Sequence, residues 1–231
     1  MSKVAQINRF PYLEQGTEEW LAARADCLCT GSEFAAALGL CPYTSRAQLI
    51  KRKIGLSAPV ETNDYMRFGT EMEPHVAAAY DSAYGVNSAT FGFVTYELGG
   101  VKVGCSPDRV LLDTQGQPTH LIEIKCSVRE RFTVEPYHLP QLLAQTVMMG
   151  IPVVDYVCWT PSQVDEQGNM LLNVATVTFD ERLWTNHVWP ALRQFKSMVD
   201  RKITCRVNSA EKRELEQAFA KYTTISSRQC T

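Results

Sequence analysis

Residues 104–127, GCSPDRVLLDTQGQPTHLIEIKCS, decide the reading of this chain. TQGQP is a turn between two β-rich runs, so Arg109–Asp113 and His120–Lys125 read as the arms of a hairpin. Side chains alternate along the second arm. Ile122 and Ile124 therefore point into a core, while Glu123 and Lys125 share the opposite face. Asp108 enters at the start of the first arm, and pairing of the two arms lets it meet Glu123 across the hairpin. Two carboxylates and an ammonium thus converge at one place on a sheet.

That combination has a chemical use. Two close carboxylates repel unless a hard cation lies between them, and Mg2+ takes oxygen ligands at about 2.0–2.1 Å while keeping some of its water. The ion eases deprotonation of water and offsets charge on a phosphodiester in the transition state. Lys125 would add a compact cation able to orient the attacking water or counter that charge. The competing reading is a solvated hairpin face with no function. It is weakened by Glu123 lying between isoleucines on a strand buried on both sides, where a carboxylate without a partner is costly.

Working outward, the flanking segments give an α/β class: a central mixed sheet flanked by helices. Upstream, TEEWLAARADCLCTGSEFAAALGL is helical from Thr17 and is broken at Thr30–Ser32, with Ser32 as the expected cap of the second helix. Ser45 to Ile54 forms a third helix ending at Gly55. FGTEMEPHVAAAYDSAYG forms a fourth, with Pro74 expected in its first turn. Short strands are expected at Thr90–Leu98, Val101–Cys105, Val153–Trp159 and Leu171–Phe179, with Gln141–Met149 as a buried crossover helix. Glu181 to about Lys202 is an amphipathic helix, and residues 203–231 are expected to add a helix and a tail.

Composition bounds the rest. The 231 residues are 45% hydrophobic and 21% charged, with mean hydropathy −0.17, which excludes a disordered chain. At this size roughly 70–75% of the unfolded surface can be buried, so one domain over 1–231 is expected. Twenty-three basic against 25 acidic residues give a net charge of −2, so any nucleic-acid contact must use a local basic track. Arg46, Lys51, Arg52 and Lys53 form the most basic window and could contact a phosphate backbone or simply face solvent. The eight cysteines read as reduced thiols, since the chain opens without an apolar leader and has no run suited to a membrane span. The expected location is therefore cytosolic or nuclear.

P-D-(x14)-E-I-K (107–125) resembles the signature of the PD-(D/E)XK nuclease superfamily, with its restriction-endonuclease-like core. The rest of the chain is similar to its lambda-exonuclease branch, the YqaJ-type viral recombinases. The likeness runs in order through QGTEEWLAAR (15–24), TGS (30–32), GLCPYTS (39–45), FGTEMEP (68–74), GCSPD (104–108), EIKC (123–126) and PQLLAQ (140–145).

The resemblance implies roles residue by residue. Asp108, Glu123 and the Ile124 carbonyl would be metal ligands, Glu73 an additional acid of the metal site, and Lys125 the catalytic lysine. Gln141 would stand beside them on the core helix. Arg24 would grip phosphate near the 5′ end, and the Thr30 and Ser32 hydroxyls would receive phosphate. Glu73, Gln141, Arg24, Thr30 and Ser32 each have a plainer reading as a helix-surface, dipole-favoured or capping residue. His138 replaces the tyrosine of many relatives and is either a substrate contact or an ordinary surface side chain.

The activity implied is Mg2+-dependent digestion of one strand of double-stranded DNA from an end, 5′→3′. It would yield 5′-mononucleotides and a 3′ overhang for a single-strand annealing protein. Two ions per site are implied, with Mn2+ as an alternative metal, and the processive relatives are homotrimeric rings. Rival readings are a same-core alkaline-type nuclease with endonuclease or RNase activity, and a non-catalytic DNA-end-binding recombination adaptor.

Overall fold

The computed structural model describes residues 5–58, 60–129 and 133–230. Its elements run β1 (Gln6–Phe10), α1 (Glu18–Ala25), α2 (Phe34–Ala37), α3 (Arg46–Lys53), α4 (Asp64–Tyr84), β2 (Phe93–Leu98), β3 (Val101–Cys105), β4 (Arg109–Leu112) and β5 (Pro118–Cys126). They continue through α5 (Leu139–Met149), β6 (Val153–Trp159), β7 (Leu172–Phe179), α6 (Glu181–Leu183), α7 (Trp189–Asp200), α8 (Ser209–Tyr222) and β8 (Thr223–Cys230). Strands β1, β2 and β3 form an antiparallel sheet. The second sheet has the order β4-β5-β6-β7-β8 and is antiparallel except between β5 and β6.

The parallel pair requires a crossover, and α5 supplies it. Pro140 stands in the first turn of α5 and Gly150, at φ 67°, closes it in the left-handed conformation. Leu142, Leu143, Ala144 and Met148 are buried, because α5 packs against β2 and β3 of one sheet and β5 and β6 of the other. Full burial of a leucine of this kind is worth about 1.5–3 kcal/mol. On the far face of the second sheet, Val76, Ala77 and Tyr80 of α4 pack on Ile122, Ile124 and Val157. Strand β5 is thus covered on both sides, its isoleucines toward α4 and Glu123 toward α5.

Several boundaries differ from the sequence expectation for local physical reasons. Asn63 caps α4 through its side chain on Met66 N, so the helix starts upstream and Pro74 falls in its interior rather than its first turn. Thr30, not Ser32, begins the short turn before α2, since the Glu33 carboxylate accepts both the Thr30 N–H and its hydroxyl, at 3.0 and 3.3 Å. The helical run from Glu181 to Asp200 passes through one π turn at Trp184–Val188, ahead of Pro190, which brings no N–H to the ladder. The expected tail is instead β8, which opens with the β-branched Thr223, Thr224 and Ile225 and pairs along the whole of β7. Strand β1 also lay outside the sequence reading.

Candidate active site

Strand β4 begins at Arg109, which pairs with Ile122, so β5 runs on past the end of its neighbour. Among the described residues no strand pairs with the edge that Ile124 presents there. Asp108, the residue immediately before β4, fills the place: its Oδ2 accepts the Ile124 N–H at 2.8 Å. The Ile124 carbonyl lies on the same edge. The Asp108 turn is itself fastened from two directions. Gln15 donates to the carbonyls of Phe91 and Pro107 at 3.0 and 3.3 Å, and the Trp20 indole N–H donates to Ser106 Oγ at 3.0 Å. Gly104 leads into that turn, where any Cβ would stand 2.3 Å from the Phe93 ring.

Glu123 points the other way, into the interface with α5, and is wholly buried. Lys125 and Gln141 both donate to its Oε1, Gln141 at 2.5 Å, and Gln145 donates to Oε2 at 2.6 Å. Gln145 closes the PQLLAQ motif, and the sequence reading assigns it no role. Its spacing of four from Gln141 is the signal, because that spacing places both amides on one helix face. Gln15 and Trp20 carried no comparable signal, since their roles depend on distant carbonyls and a distant hydroxyl.

Glu73 reaches the site from α4. Burial pushes its carboxyl up, Glu123 adds to that, and Lys125 and Arg109 oppose it. Asp108 is pushed well above the usual carboxylate range by burial, then by Glu123 and Glu73, against the pull of Lys125 and of the Ile124 N–H. Burial works against the Lys125 ammonium, but Glu123, Asp108 and Glu73 together outweigh it and raise its pKa. Glu123 is in contact with the amine, while Asp108 and Glu73 act on it electrostatically.

The donor set, carboxylates plus a strand-edge carbonyl, is all oxygen and suits a hard divalent cation. The excess of acid over base is what such an ion would offset, so the residues fit a metal. The expected cage of three acids around an ion is nevertheless not drawn together: among the described residues no three His, Cys, Asp or Glu side chains stand close enough to hold one. Glu123 is turned to the Lys125 amine and the two glutamines instead.

The remaining expected residues divide. Arg24 is half-buried over the Trp20 ring, 4.2 Å from its centroid, and is linked through that indole to the Asp108 turn; burial lowers its pKa, with Glu33 opposing. Lys51 is exposed and Arg52 half-buried, whereas Lys53 is paired with Glu33 at 2.9 Å. Arg46 is a correction. It is only 1% exposed, donates to the Ala37 carbonyl at 2.7 Å and pairs with Glu211 of α8 at 2.8 Å, so it ties helices together and faces no backbone phosphate. Thr30 is also buried and its hydroxyl is committed to Glu33, which would repel a phosphate, while Ser32 is exposed. The His138 ring is half-buried and its Nδ1 lies 2.8 Å from the Tyr156 hydroxyl.

Among solved structures the chain is similar to the alkaline exonuclease LHK-Exo from Laribacter hongkongensis, with 24% identity and a TM-score of 0.61 over 89% of this chain and 99% of that one. The same protein in complex with dAMP gives a TM-score of 0.60 at the same identity and coverage. A phage-related exonuclease from Haemophilus somnus 129PT gives 10% identity and a TM-score of 0.50 over 83% of this chain and 95% of that one. These likenesses carry the fold, a PD-(D/E)XK-type core. Comparison with curated protein sequences gives no match. The family model of the YqaJ-like viral recombinase domain matches residues 19–148, a span that contains Arg24, Glu73, Asp108, Glu123, Lys125, Gln141 and Gln145. Matched over more than half its length, the chain belongs to the YqaJ-like viral recombinase family.

Proposed function

We propose that the protein is a divalent-metal-dependent nuclease that digests one strand of duplex DNA from its 5′ end, releasing 5′-mononucleotides. The remaining 3′ overhang would be handed to a single-strand annealing protein. The observation that carries this reading is the contact of the buried Glu123 carboxylate with the Lys125 amine, next to a strand edge that Asp108 occupies at Ile124, with Glu123 held by Gln141 and Gln145. Family membership supports it, and LHK-Exo, which shares the fold, is an alkaline exonuclease with a structure in complex with dAMP.

Asp108, Glu123 and the Ile124 carbonyl would hold Mg2+, or Mn2+ in its place, with Glu73 completing a site for two ions. A bound ion supplies Lewis acidity to the phosphodiester and eases deprotonation of water. The chain's own residues do the rest. Lys125 keeps a protonated amine beside the reacting phosphate, Gln141 and Gln145 hold Glu123 in one orientation, and Arg24 offers a fork of donors to a terminal phosphate. A ring of three copies would keep the enzyme on its DNA.

The test is linear duplex carrying a 5′-phosphate on one strand, incubated with the wild type or Glu123→Ala in Mg2+ or chelator. Mononucleotides should appear only with wild type and metal. Digestion of circular DNA would make the enzyme an endonuclease, and tight end binding without nucleotide release would make it an adaptor. Equal digestion by Glu123→Ala would remove Glu123 from the site.

A further inference from the structure

Beside Lys125 the surface opens into a groove of about 420 Å³, within the range of small-molecule sites at roughly 300–1,000 Å³. Tyr43, Tyr65, Met66, Arg129 and His138 line it together with Lys125. Two of these aromatics are conspicuously wet: Tyr43 is 67% exposed and Tyr65 61%. Both tyrosines keep much of their surface open to water beside the Lys125 amine, and a flat ring is a natural surface for another flat ring.

Tyr43 is also braced. Its ring meets Tyr137 edge-on at 5.6 Å, Tyr137 meets His138 at 4.4 Å, and His138 lies 5.7 Å from the ring of Tyr156 and 2.8 Å from its hydroxyl. Tyr156 is buried in β6, so this aromatic chain runs from the sheet core to the groove mouth and fixes the outermost ring before any ligand arrives. Aromatic faces and the cations of Lys125 and Arg129 thus line one groove. A nucleotide carries the complementary pair, a π-face and a phosphate.

We infer that this groove is a base-stacking subsite for the terminal nucleotides of the strand being cut, with Tyr43 and Tyr65 as its platform. Both faces of a base inside a duplex are covered by its neighbours, so the subsite takes bases already released from pairing. Stacking is indifferent to sequence because every base has a π-face, as an enzyme acting along arbitrary DNA requires. The inference rests on the nuclease reading and assigns that site its substrate contacts.

The test uses the full chain in chelator and a short duplex with 2-aminopurine at the 5′-terminal position, whose fluorescence falls when the base stacks. Wild type should quench it, and should not quench the same probe placed in mid-duplex. Tyr43→Ala and Tyr65→Ala should lose the quenching and bind the end roughly tenfold more weakly, while Tyr43→Trp keeps both. A terminal abasic site should weaken binding to the wild type by a similar factor, a result that no folding defect can imitate. Quenching and affinity unchanged in the Tyr43→Ala, Tyr65→Ala double variant would overturn the subsite even if Mg2+ then supports digestion. End quenching by a wild type that releases no nucleotide in Mg2+ would instead overturn the nuclease reading and leave the subsite standing.

Discussion

Gln145 donates its side-chain amide to Glu123 Oε2 at 2.6 Å, and both residues are wholly buried. With Gln141 and Lys125 on the other oxygen, the carboxylate is held from three directions. Gln145→Leu removes one donor with little change in volume and leaves a buried carboxylate oxygen unpartnered, at a cost of about 1–3 kcal/mol. We expect a lower urea midpoint and at least a roughly tenfold slower release of nucleotides at saturating metal, since Glu123 then samples unproductive rotamers. Gln145→Glu should do worse, by setting like charges together. Wild-type turnover in a folded Gln145→Leu would show that Gln141 and Lys125 suffice.

The mutual repulsion of Asp108, Glu123 and Glu73, only partly offset by Lys125, predicts a response to metal alone. Mg2+ that binds the folded chain only should raise its melting temperature, the stabilisation reaching about 2.7 kcal/mol at a hundred times the dissociation constant. Calorimetry with and without Mg2+ measures this in the absence of DNA. Asp108→Asn should shrink the response while leaving the fold intact, because an amide side chain can still accept the Ile124 N–H. A wild type indifferent to Mg2+ and Mn2+ would count against Asp108 and Glu123 as ligands.

What the sequence discloses is set by how local the cause is. The TQGQP turn, the alternation of Ile122, Glu123, Ile124 and Lys125, and the crossover helix before Gly150 are local, and each is found where the pattern puts it. The relation of Asp108 to Ile124 needs one further fact, that β4 starts only at Arg109, and no turn rule supplies it. Strand β8 is invisible because eight β-branched and polar residues acquire a register only when β7 is beside them. Arg46 misled for the same reason: in sequence it heads a basic run, and only the return of α8 gives it Glu211 and a buried position.

Arg46 therefore separates stability from DNA contact. Arg46→Met strands Glu211 against a closed interface, and breaking a buried pair from one side costs about 3–5 kcal/mol at full burial, less here because Glu211 retains some access to water. The companion change Glu211→Leu should recover part of that loss. In whatever fraction stays folded, affinity for DNA ends and its salt dependence should match wild type, whereas Lys51→Ala with Arg52→Ala should flatten the salt dependence. Those two slopes, measured by titration across salt concentrations, decide which cations of this window meet phosphate.

Asp155 gives the pH prediction. Buried on the α4 face of β6, away from Glu123, it accepts from Tyr80 at 2.7 Å, Thr176 at 2.6 Å and Arg228 at 2.9 Å, with His120 Nε2 at 3.4 Å. Burial alone would raise its pKa. The bonds from His120, Thr176 and Tyr80 outweigh burial and hold it down to about 2. A carboxyl depressed in the folded state adds stability above its unfolded value, near 3.9, and that stability is lost as pH falls toward 2. The contribution at neutral pH is about 2 kcal/mol. Asp155→Asn should thus be less stable than wild type at pH 7, with the gap closing between about pH 4 and 2 in denaturant melts. Because Arg228 ties β8 to this carboxylate, amide exchange along β8 should quicken as well. Nucleotide release by the folded variant should be unchanged, since the opposite face of the sheet carries the site; a selective loss of turnover at wild-type stability would place Asp155 in the reaction instead.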